Sequence, residues 1–160
     1  MSTIINGIAE LKARAGEHLG VSDWLEITQD RVDRFADATD DHQWIHVDIE
    51  RAKTGPFGGT IAHGYLTLAL LIPLWTEIAK IENIGMAVNY GLNRVRFPSP
   101  VPVGSKIRLS AVLASVTDVP GDGVQATIEF TVEREGADKP SVVAEAVYRY
   151  YAPPSGTAAA

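Results

Sequence analysis

The stretch that decides the fold is residues 61–75, which read IAHGYLTLALLIPLW. Apolar side chains fill most of it, and the residues that interrupt them are His63, Gly64, Thr67 and Pro73. A bilayer span needs about 20 consecutive apolar residues, so this run is too short and too interrupted to cross a membrane. We therefore predict a helix that begins near His63 and is buried on nearly all sides.

Four segments after this helix predict β-strands, over residues 87–97, 106–117, 124–135 and 142–151. In the third segment apolar residues alternate with polar ones, which is typical of a strand with one buried and one solvated face. Turns rich in proline and glycine separate the strands, and their lengths suit antiparallel neighbours. The apolar face of the sheet must be shielded from water, and the apolar helix must be packed against apolar side chains. We therefore predict an α+β hot-dog fold, a curved antiparallel sheet of about five strands wrapped around the helix.

The residues before the helix predict three local elements. Apolar residues recur at helical spacing from Ile4, and Gly16 is placed to end this helix, so we predict an N-terminal helix within residues 1–16. Residues 21–27 alternate loosely and predict a strand. Thr28 is placed to cap a helix that continues through Ala38. We predict one domain over residues 1–152, followed by a disordered tail over residues 153–160.

The composition excludes several classes of function. The chain has 160 residues, with 14 Lys and Arg against 20 Asp and Glu, so its net charge of −6 opposes binding to nucleic acid or to an anionic membrane. The absence of cysteine excludes disulfides, thiol nucleophiles and Cys-ligated metals. Residues 1–16 do not form a secretory signal, so we expect a cytoplasmic protein. No phosphate-binding or dinucleotide-binding glycine motif is present, and we expect no cofactor.

The densest cluster of reactive side chains is the segment DDHQWIHVD over residues 40–48. It belongs to a polar, glycine-rich stretch over residues 39–63 that lacks periodicity, apart from one helical turn predicted over residues 49–53. Carboxylates and imidazoles this close in an irregular segment can converge for general acid–base catalysis. The alternative is a solvated loop whose Asp and His side chains form local hydrogen bonds.

His42 and His46 also have the spacing of a zinc motif that is carried on a helix. The glutamate base of that motif is missing between them, and the segment does not read as a helix. Asp41 or His63 would have to complete a ligand set. We therefore predict that no metal is bound.

His63 and Gly64 lie where the glycine-rich stretch becomes the apolar helix. The first N–H groups of a helix have no internal partners, so Gly64 could let a carbonyl oxygen approach them closely. The alternative is that Gly64 only permits close packing of the helix on the sheet. Farther along the helix, Tyr65 and Leu68 are predicted to line the core or an apolar ligand pocket.

Arg94 and Arg96 place two cations on one side of a predicted strand. They could meet phosphate groups. The alternative is a solvated face with surface ion pairs.

The motif of Asp41, four residues and then His46, followed by IAHG over residues 61–64, resembles the MaoC-like dehydratases, the (R)-specific enoyl-CoA hydratase family. Within that family it is most similar to the branch of the nodulation protein NodN. The resemblance implies a lyase that adds water to a trans-2-enoyl thioester of coenzyme A or of acyl carrier protein. Asp41 would take a proton from the water and His46 would orient it. The N–H of Gly64 would bind the thioester oxygen, and His63 is predicted to belong to the same thioester-binding site.

The resemblance also has departures and further implications. Asp40, Gln43 and Trp44 stand where the family commonly has Gly, Asn and Pro, so Gln43 would have to supply the hydrogen bond of a shorter amide.

The resemblance implies a homodimer with an acyl pocket that includes Tyr65 and Leu68, and with coenzyme A phosphates near Arg94 and Arg96. Two rival functions are a hot-dog acyl-CoA thioesterase and a non-catalytic acyl-thioester binding protein.

Overall fold

The structure is a computed structural model that describes residues 2–155. Along the chain its elements are β1 (Thr3–Asn6), α1 (Gly7–Ala13), β2 (His18–Val21), β3 (Leu25–Glu26), α2 (Gln29–Thr39), α3 (Trp44–Val47), α4 (Ile49–Ala52), α5 (Gly64–Ala69), α6 (Leu71–Ile78), β4 (Ala79–Glu82), β5 (Met86–Arg96), β6 (Lys106–Val119), β7 (Gly123–Arg134) and β8 (Val142–Tyr151). The four strands predicted after the apolar helix are confirmed.

The main sheet is antiparallel and has six strands in the order β2–β6–β7–β8–β5, with β3 also paired to β6. The expectation that β5 and β6 are neighbours is wrong, because β5 pairs with β8 at the far edge. The segment between them crosses to the stretch before α5 instead of turning back. There the N–H of Ala62 donates to the carbonyl of Val101 at 2.8 Å, and the N–H of Val103 donates to the carbonyl of Thr60 at 2.9 Å.

The apolar helix predicted from residue 63 consists of α5 and α6, which pack against the apolar side chains of the sheet. The expectation that it is buried on nearly all sides is wrong, because its outer face, which includes Tyr65 and Ile72, is exposed. Pro73 explains the division near Leu70, because it has no N–H for the carbonyl of Ala69. Burial of one large apolar side chain stabilises the fold by roughly 1.5–3 kcal/mol, so this layer supplies much of the driving force. Its buried members are Leu66, Leu70, Leu71, Leu74, Trp75 and Ile78. The helix layer on the antiparallel sheet is the predicted α+β hot-dog fold.

The prediction of a helix within residues 1–16 is correct only for α1. Thr3–Asn6 instead form β1, which is parallel to β4 and places Ile5 opposite Ile81. Gly7, at the junction, has a φ of 74°, in the left-handed region that favours glycine, so the chain turns there. Ile5 is fully buried, and the apolar spacing that suggested a longer helix therefore reflects burial of a strand.

The strand predicted over residues 21–27 is only partly correct, because β2 ends at Val21 and β3 covers only Leu25–Glu26. Between them the hydroxyl of Ser22 accepts a hydrogen bond from the N–H of Leu109 at 2.9 Å and donates to the carbonyl of Asp23 at 3.0 Å. The Ser22 hydroxyl thus takes the place of a backbone carbonyl as the acceptor from a neighbouring strand. Alternation of apolar residues in the sequence cannot predict such a contact.

The stretch over residues 39–63 contains one helical turn more than predicted. The turn after Asp48 is confirmed as α4, where the Asp48 carboxylate accepts from the N–H of Arg51 at 3.0 Å. The additional turn is α3, and a single turn is too short to show apolar periodicity. Of the predicted tail, residues 153–155 form neither helix nor strand, and residues 156–160 lie outside the described residues. None of the helices described is both long and apolar enough to cross a membrane.

Candidate active site

The end of α2 sets the direction in which the reactive segment leaves the helix. The helix begins as predicted, because the Thr28 hydroxyl accepts from the N–H of Arg31 at 3.2 Å. It ends at Asp40, which adopts a left-handed conformation with a φ of 59°. The next residue, Asp41, is exposed, and its carboxylate faces the N–H of Gln43 at 3.4 Å in a local turn. The reactive carboxylate therefore lies on a tight turn that is open to solvent.

His46 lies on α3 and is held from one side of its ring. Nδ1 lies 2.7 Å from the carbonyl oxygen of Ile61. Because a carbonyl oxygen only accepts, Nδ1 carries the hydrogen in the neutral ring, and Nε2 is left as an acceptor. Burial lowers the pKa of His46, and the hydrogen bond to Ile61 opposes this only in part. A neutral imidazole with a free Nε2 lone pair can accept a hydrogen bond, or a proton, from water.

Two residues that the sequence analysis missed fix the backbone around His46. The side-chain amide of Gln29 donates to the carbonyl of His46 at 2.7 Å and to the carboxylate of Asp33 at 2.8 Å. The Gln29 oxygen accepts from the hydroxyl of Thr60 at 2.6 Å. The N–H of Ile61 also donates to the carbonyl of Ile45 at 3.0 Å, which ties the two ends of the loop together. Gln29 belongs to no local motif, so only the tertiary structure could reveal its role.

His63 is the residue that precedes α5, and its side chain is 2% exposed. Its Nε2 donates to the backbone carbonyl of Asp41 at 3.0 Å. Its ring stacks on that of His46, with centroids 3.8 Å apart and planes inclined by 24°. The ring of Phe35 packs against it at 4.8 Å. The structure therefore brings His63 together with Asp41 and His46, although His63 lies 22 residues after Asp41 in the sequence.

These three side chains also form a group that could hold a metal ion, since their ligand atoms lie within 4.8 Å of one another. His42 is outside this group. It lies 2.9 Å from the Asp37 carboxylate, which raises the pKa of His42 through that hydrogen bond. The absence of a bound metal stays a prediction.

Gly64 is the first residue of α5, and both interpretations of it have support. A Cβ added there would lie 3.3 Å from carbons of the Phe97 ring, so the glycine permits close packing. Gly64 also lines a cavity of about 340 Å³, which a ligand could enter. The other residues around this cavity are Ile61, Ala62, Thr67, Phe97, Ser99, Pro100, Val101 and Ser141.

An apolar groove follows α5 and α6 beneath β5. Tyr65 and Leu68 line its first part, a cavity of about 210 Å³. This cavity shares Ile72, Asn89 and Tyr148 with a larger one of about 570 Å³. Tyr65 is 73% exposed and therefore belongs to the groove and not to the core. The groove has the volume and apolar lining expected for a hydrocarbon chain.

The remaining residues predicted for the site lie on the surface. Arg94 and Arg96 are exposed on β5, and the guanidinium of Arg96 donates to its neighbour Val95 at 2.7 Å. Arg96 directly precedes Phe97, which lines the cavity at Gly64. Gln43 is exposed, and its backbone carbonyl accepts from the N–H of His46 at 2.9 Å.

The family assignment rests on most of the chain. The model of the MaoC like domain matches residues 10–134. The chain belongs to the MaoC-like dehydratase family. This confirms the resemblance carried by the Asp41 and His46 motif, and it makes the chain a dehydratase or hydratase of the MaoC-like type.

Several relatives cover nearly the whole chain. The chain is 57% identical over 145 residues to 3-hydroxyacyl-thioester dehydratase Z of Mycobacterium tuberculosis, covering 91% of this chain and 96% of the relative. It is 46% identical over 139 residues to nodulation protein N of Rhizobium leguminosarum bv. viciae, covering 86% of each. The (R)-hydratase from A. caviae involved in PHA biosynthesis has a similar structure, with a TM-score of 0.67 at 23% identity, covering 86% of this chain and 97% of that one. The last similarity concerns the fold alone.

Proposed function

We propose that this MaoC-like protein catalyses the reversible hydration of trans-2-enoyl-CoA to (R)-3-hydroxyacyl-CoA. The observation that carries the proposal is the convergence of the exposed Asp41 carboxylate and the His46 ring beside the start of α5. The Nδ1 of that ring is engaged by the carbonyl of Ile61, which leaves Nε2 as the acceptor. The name of the dehydratase Z relative, which is 57% identical, supports the same class of substrate. Acyl carrier protein is the alternative carrier of the thioester.

The proposed step needs two acceptors around one water molecule. Asp41 takes a proton from the water while His46 Nε2 accepts a hydrogen bond from it and orients its oxygen toward the β-carbon. The new C–O bond forms at that carbon, and the electron pair of the double bond moves into the thioester as an enolate. Asp41 then returns the proton to the α-carbon. Because one group removes and returns the proton, water and proton add from the same side. The (R) configuration is proposed from the resemblance to the (R)-specific hydratases, since it depends on which face of the β-carbon meets the water.

The negative charge that develops on the thioester oxygen needs hydrogen-bond donors. The N–H of Gly64, at the His63–Gly64 step, is the proposed donor, because the first N–H groups of a helix have no partner within it. The absence of a side chain at Gly64 lets the oxygen approach closely. Gln43 would support the loop in place of the family's more common asparagine.

The apolar groove along α5 and α6 is proposed to hold the acyl chain. Tyr65 and Leu68 lie at its first part, one and four residues after Gly64. Arg94 and Arg96 are the proposed contacts for the phosphates of coenzyme A, since both are exposed cations and Arg96 is next to Phe97 at the cavity. No metal and no cofactor enter the proposed reaction.

We also propose that the protein is a homodimer. β5 is an edge strand of 11 residues, and it exposes large apolar side chains, namely Met86, Tyr90 and Leu92. An exposed apolar edge of this length is a site for pairing with another strand. A second copy of the chain would cover this edge and the groove beside it.

The test is incubation of the purified protein with crotonyl-CoA and with longer trans-2-enoyl-CoA esters. Loss of the conjugated enoyl absorbance without release of free thiol means hydration, which supports the proposal. Release of free thiol means hydrolysis at the carbonyl carbon, and it favours the thioesterase. Binding of the esters without either change favours a non-catalytic binding protein.

A further inference from the structure

His63 is less exposed than either member of the Asp41–His46 pair, yet it contacts both. Its Nε2 donates to the carbonyl oxygen of Asp41, and its ring face stacks on that of His46. With 2% of the residue exposed, the side chain does not reach the space where a thioester could bind. It therefore lies behind the two reactive groups.

We infer that the His63 side chain is a positioning residue that holds the Asp41 turn and the His46 ring in one fixed arrangement. This inference rests on the proposed function, in which those two groups act on the same water. It leaves the thioester oxygen to the backbone N–H of Gly64.

The two contacts of His63 constrain different parts of the site. The hydrogen bond at Nδ1 of His46 to Ile61 fixes one edge of that ring, and stacking on His63 fixes its plane. Together they fix the direction of the Nε2 lone pair. The turn that carries Asp41 is exposed, and the His63 hydrogen bond attaches it to the buried start of α5. Catalysis by two groups from separate turns depends on such preorganisation.

The chemistry of the site explains why histidine stands here. A phenylalanine would keep the ring face but lose the donor, and a glutamine would keep a donor but lose the ring. The hydrogen on Nε2 leaves Nδ1 as a buried acceptor without a partner among the described residues. A buried polar atom without a partner lowers stability, so an apolar side chain would pack better. The buried imidazole is thus consistent with a role in the site and not in packing alone.

The test compares His63→Phe and His63→Gln with the wild type in enoyl-CoA hydration. We expect kcat to fall about 10-fold or more in each variant, with KM changed by less than about threefold, because misplaced groups slow the reaction more than they weaken binding. Ser22→Ala is the matched control, since Ser22 is a buried, hydrogen-bonded residue between β2 and β3. It should lower the urea midpoint and leave kcat unchanged.

A second readout does not require activity. The chain has four histidines, so their ring signals can be assigned by NMR. Burial lowers the pKa of His46 and the His63 ring adds to this, whereas the Ile61 carbonyl and Asp41 raise it. In His63→Phe the titration of His46 should therefore move to higher pH. In the wild type, His63 should carry its hydrogen on Nε2.

Folded variants with wild-type kcat, an unchanged His46 titration, or an Nδ1–H form of His63 in the wild type would each overturn the inference. If neither variant folds, the position of the hydrogen on the His63 ring of the wild type decides whether the inference holds. If the wild type hydrates none of the thioesters, the proposed function fails. The NMR readouts then still decide whether His63 positions the other two residues.

Discussion

Gly64→Ala separates the two interpretations of this glycine. An added Cβ would lie 3.3 Å from the Phe97 ring, whereas carbon atoms prefer about 3.5–4.0 Å, so the ring must move by a few tenths of an ångström. Phe97 is 45% exposed and can tilt. The strain then stays near the lower end of the roughly 1–3 kcal/mol of overpacking, and the entropy gain of about 0.4–1 kcal/mol from replacing glycine offsets part of it. We expect the free energy of unfolding to change by at most about 1 kcal/mol.

Activity should change far more than stability. A methyl group beside the N–H of residue 64 would obstruct the thioester oxygen, and loss of one such donor lowers kcat by about 10²–10³-fold, or about 2.7–4 kcal/mol. The measurements are kcat/KM for crotonyl-CoA and the urea midpoint. Gly59→Ala is the matched control, because a Cβ at Gly59 meets nothing within 4 Å.

The second substitution Phe97→Leu, added to Gly64→Ala, decides the cause of any loss. If the methyl group obstructs the oxygen, the smaller leucine does not restore activity. Recovery of activity in the double variant would mean that packing against Phe97 was responsible. A Gly64→Ala enzyme within about threefold of wild-type kcat/KM would refute the role of the N–H.

Four further predictions follow from the site and the sheet edge. Asp41→Asn and His46→Ala should each lower kcat by about 10²–10⁴-fold, and an Asp41→Asn variant with normal turnover would contradict the mechanism. Chiral analysis should find the (R) product, and an (S) product would contradict the proposed stereospecificity. Extensive chelation should leave the rate of hydration unchanged, and His42→Ala should lower kcat far less than His46→Ala. Bound zinc that is lost in step with activity would instead favour His42 and His46 as metal ligands. Burial lowers the pKa of His46 below 6.5, so kcat/KM should stay constant as the pH falls to 6.5 and should decline only below that pH. The contribution of neutral His46 to the free energy of unfolding is complete above pH 6.5, and it is lost as the pH falls toward the lowered pKa. A titration midpoint above pH 6.5 for His46 would contradict both the activity and the stability prediction. Sedimentation should show a dimer that Leu92→Glu, on the exposed edge of β5, dissociates; a fully active wild-type monomer would contradict it.

His46 is buried, which changes the expectation for its variants. The sequence predicted a loop residue outside the apolar core, and His46→Ala would then leave stability unchanged. In the structure His46 is 6% exposed and hydrogen-bonded, so this variant should also lower the urea midpoint. Asp41→Asn is the cleaner test of mechanism, because Asp41 is exposed and the two side chains have the same shape.

The elements that could be predicted are those whose sequence patterns involve residues close together in the chain. The alternation along β7 and the Thr28 cap each depend on residues close in sequence, and both are confirmed. The pairing of β5 with β8 was not predictable, because it depends on where the segment after Phe97 crosses the molecule. β1 was missed for the same reason: Ile5 is spaced like a helical residue, and only its contact with β4 makes it part of a strand.

The candidate site divides in the same way. The sequence motif brought Asp41 and His46 together with the start of α5, and the structure places them within reach of one another. The Gln29 bridge and the stacking of His63 on His46 were not predictable, since they join residues that no motif connects. The cytoplasmic location stays a prediction.

At Asp40, the left-handed backbone conformation and the charge of the side chain can be changed independently. The family commonly has glycine here, and glycine adopts this conformation without strain. Replacing Asp40 with glycine would keep the direction in which the chain leaves α2 while removing a carboxylate next to Asp41. The charge next to Asp41, the proposed general base, can therefore be varied without redesigning the turn that carries Asp41. At this one position, the charge beside Asp41 can change while the path of the backbone out of α2 stays the same.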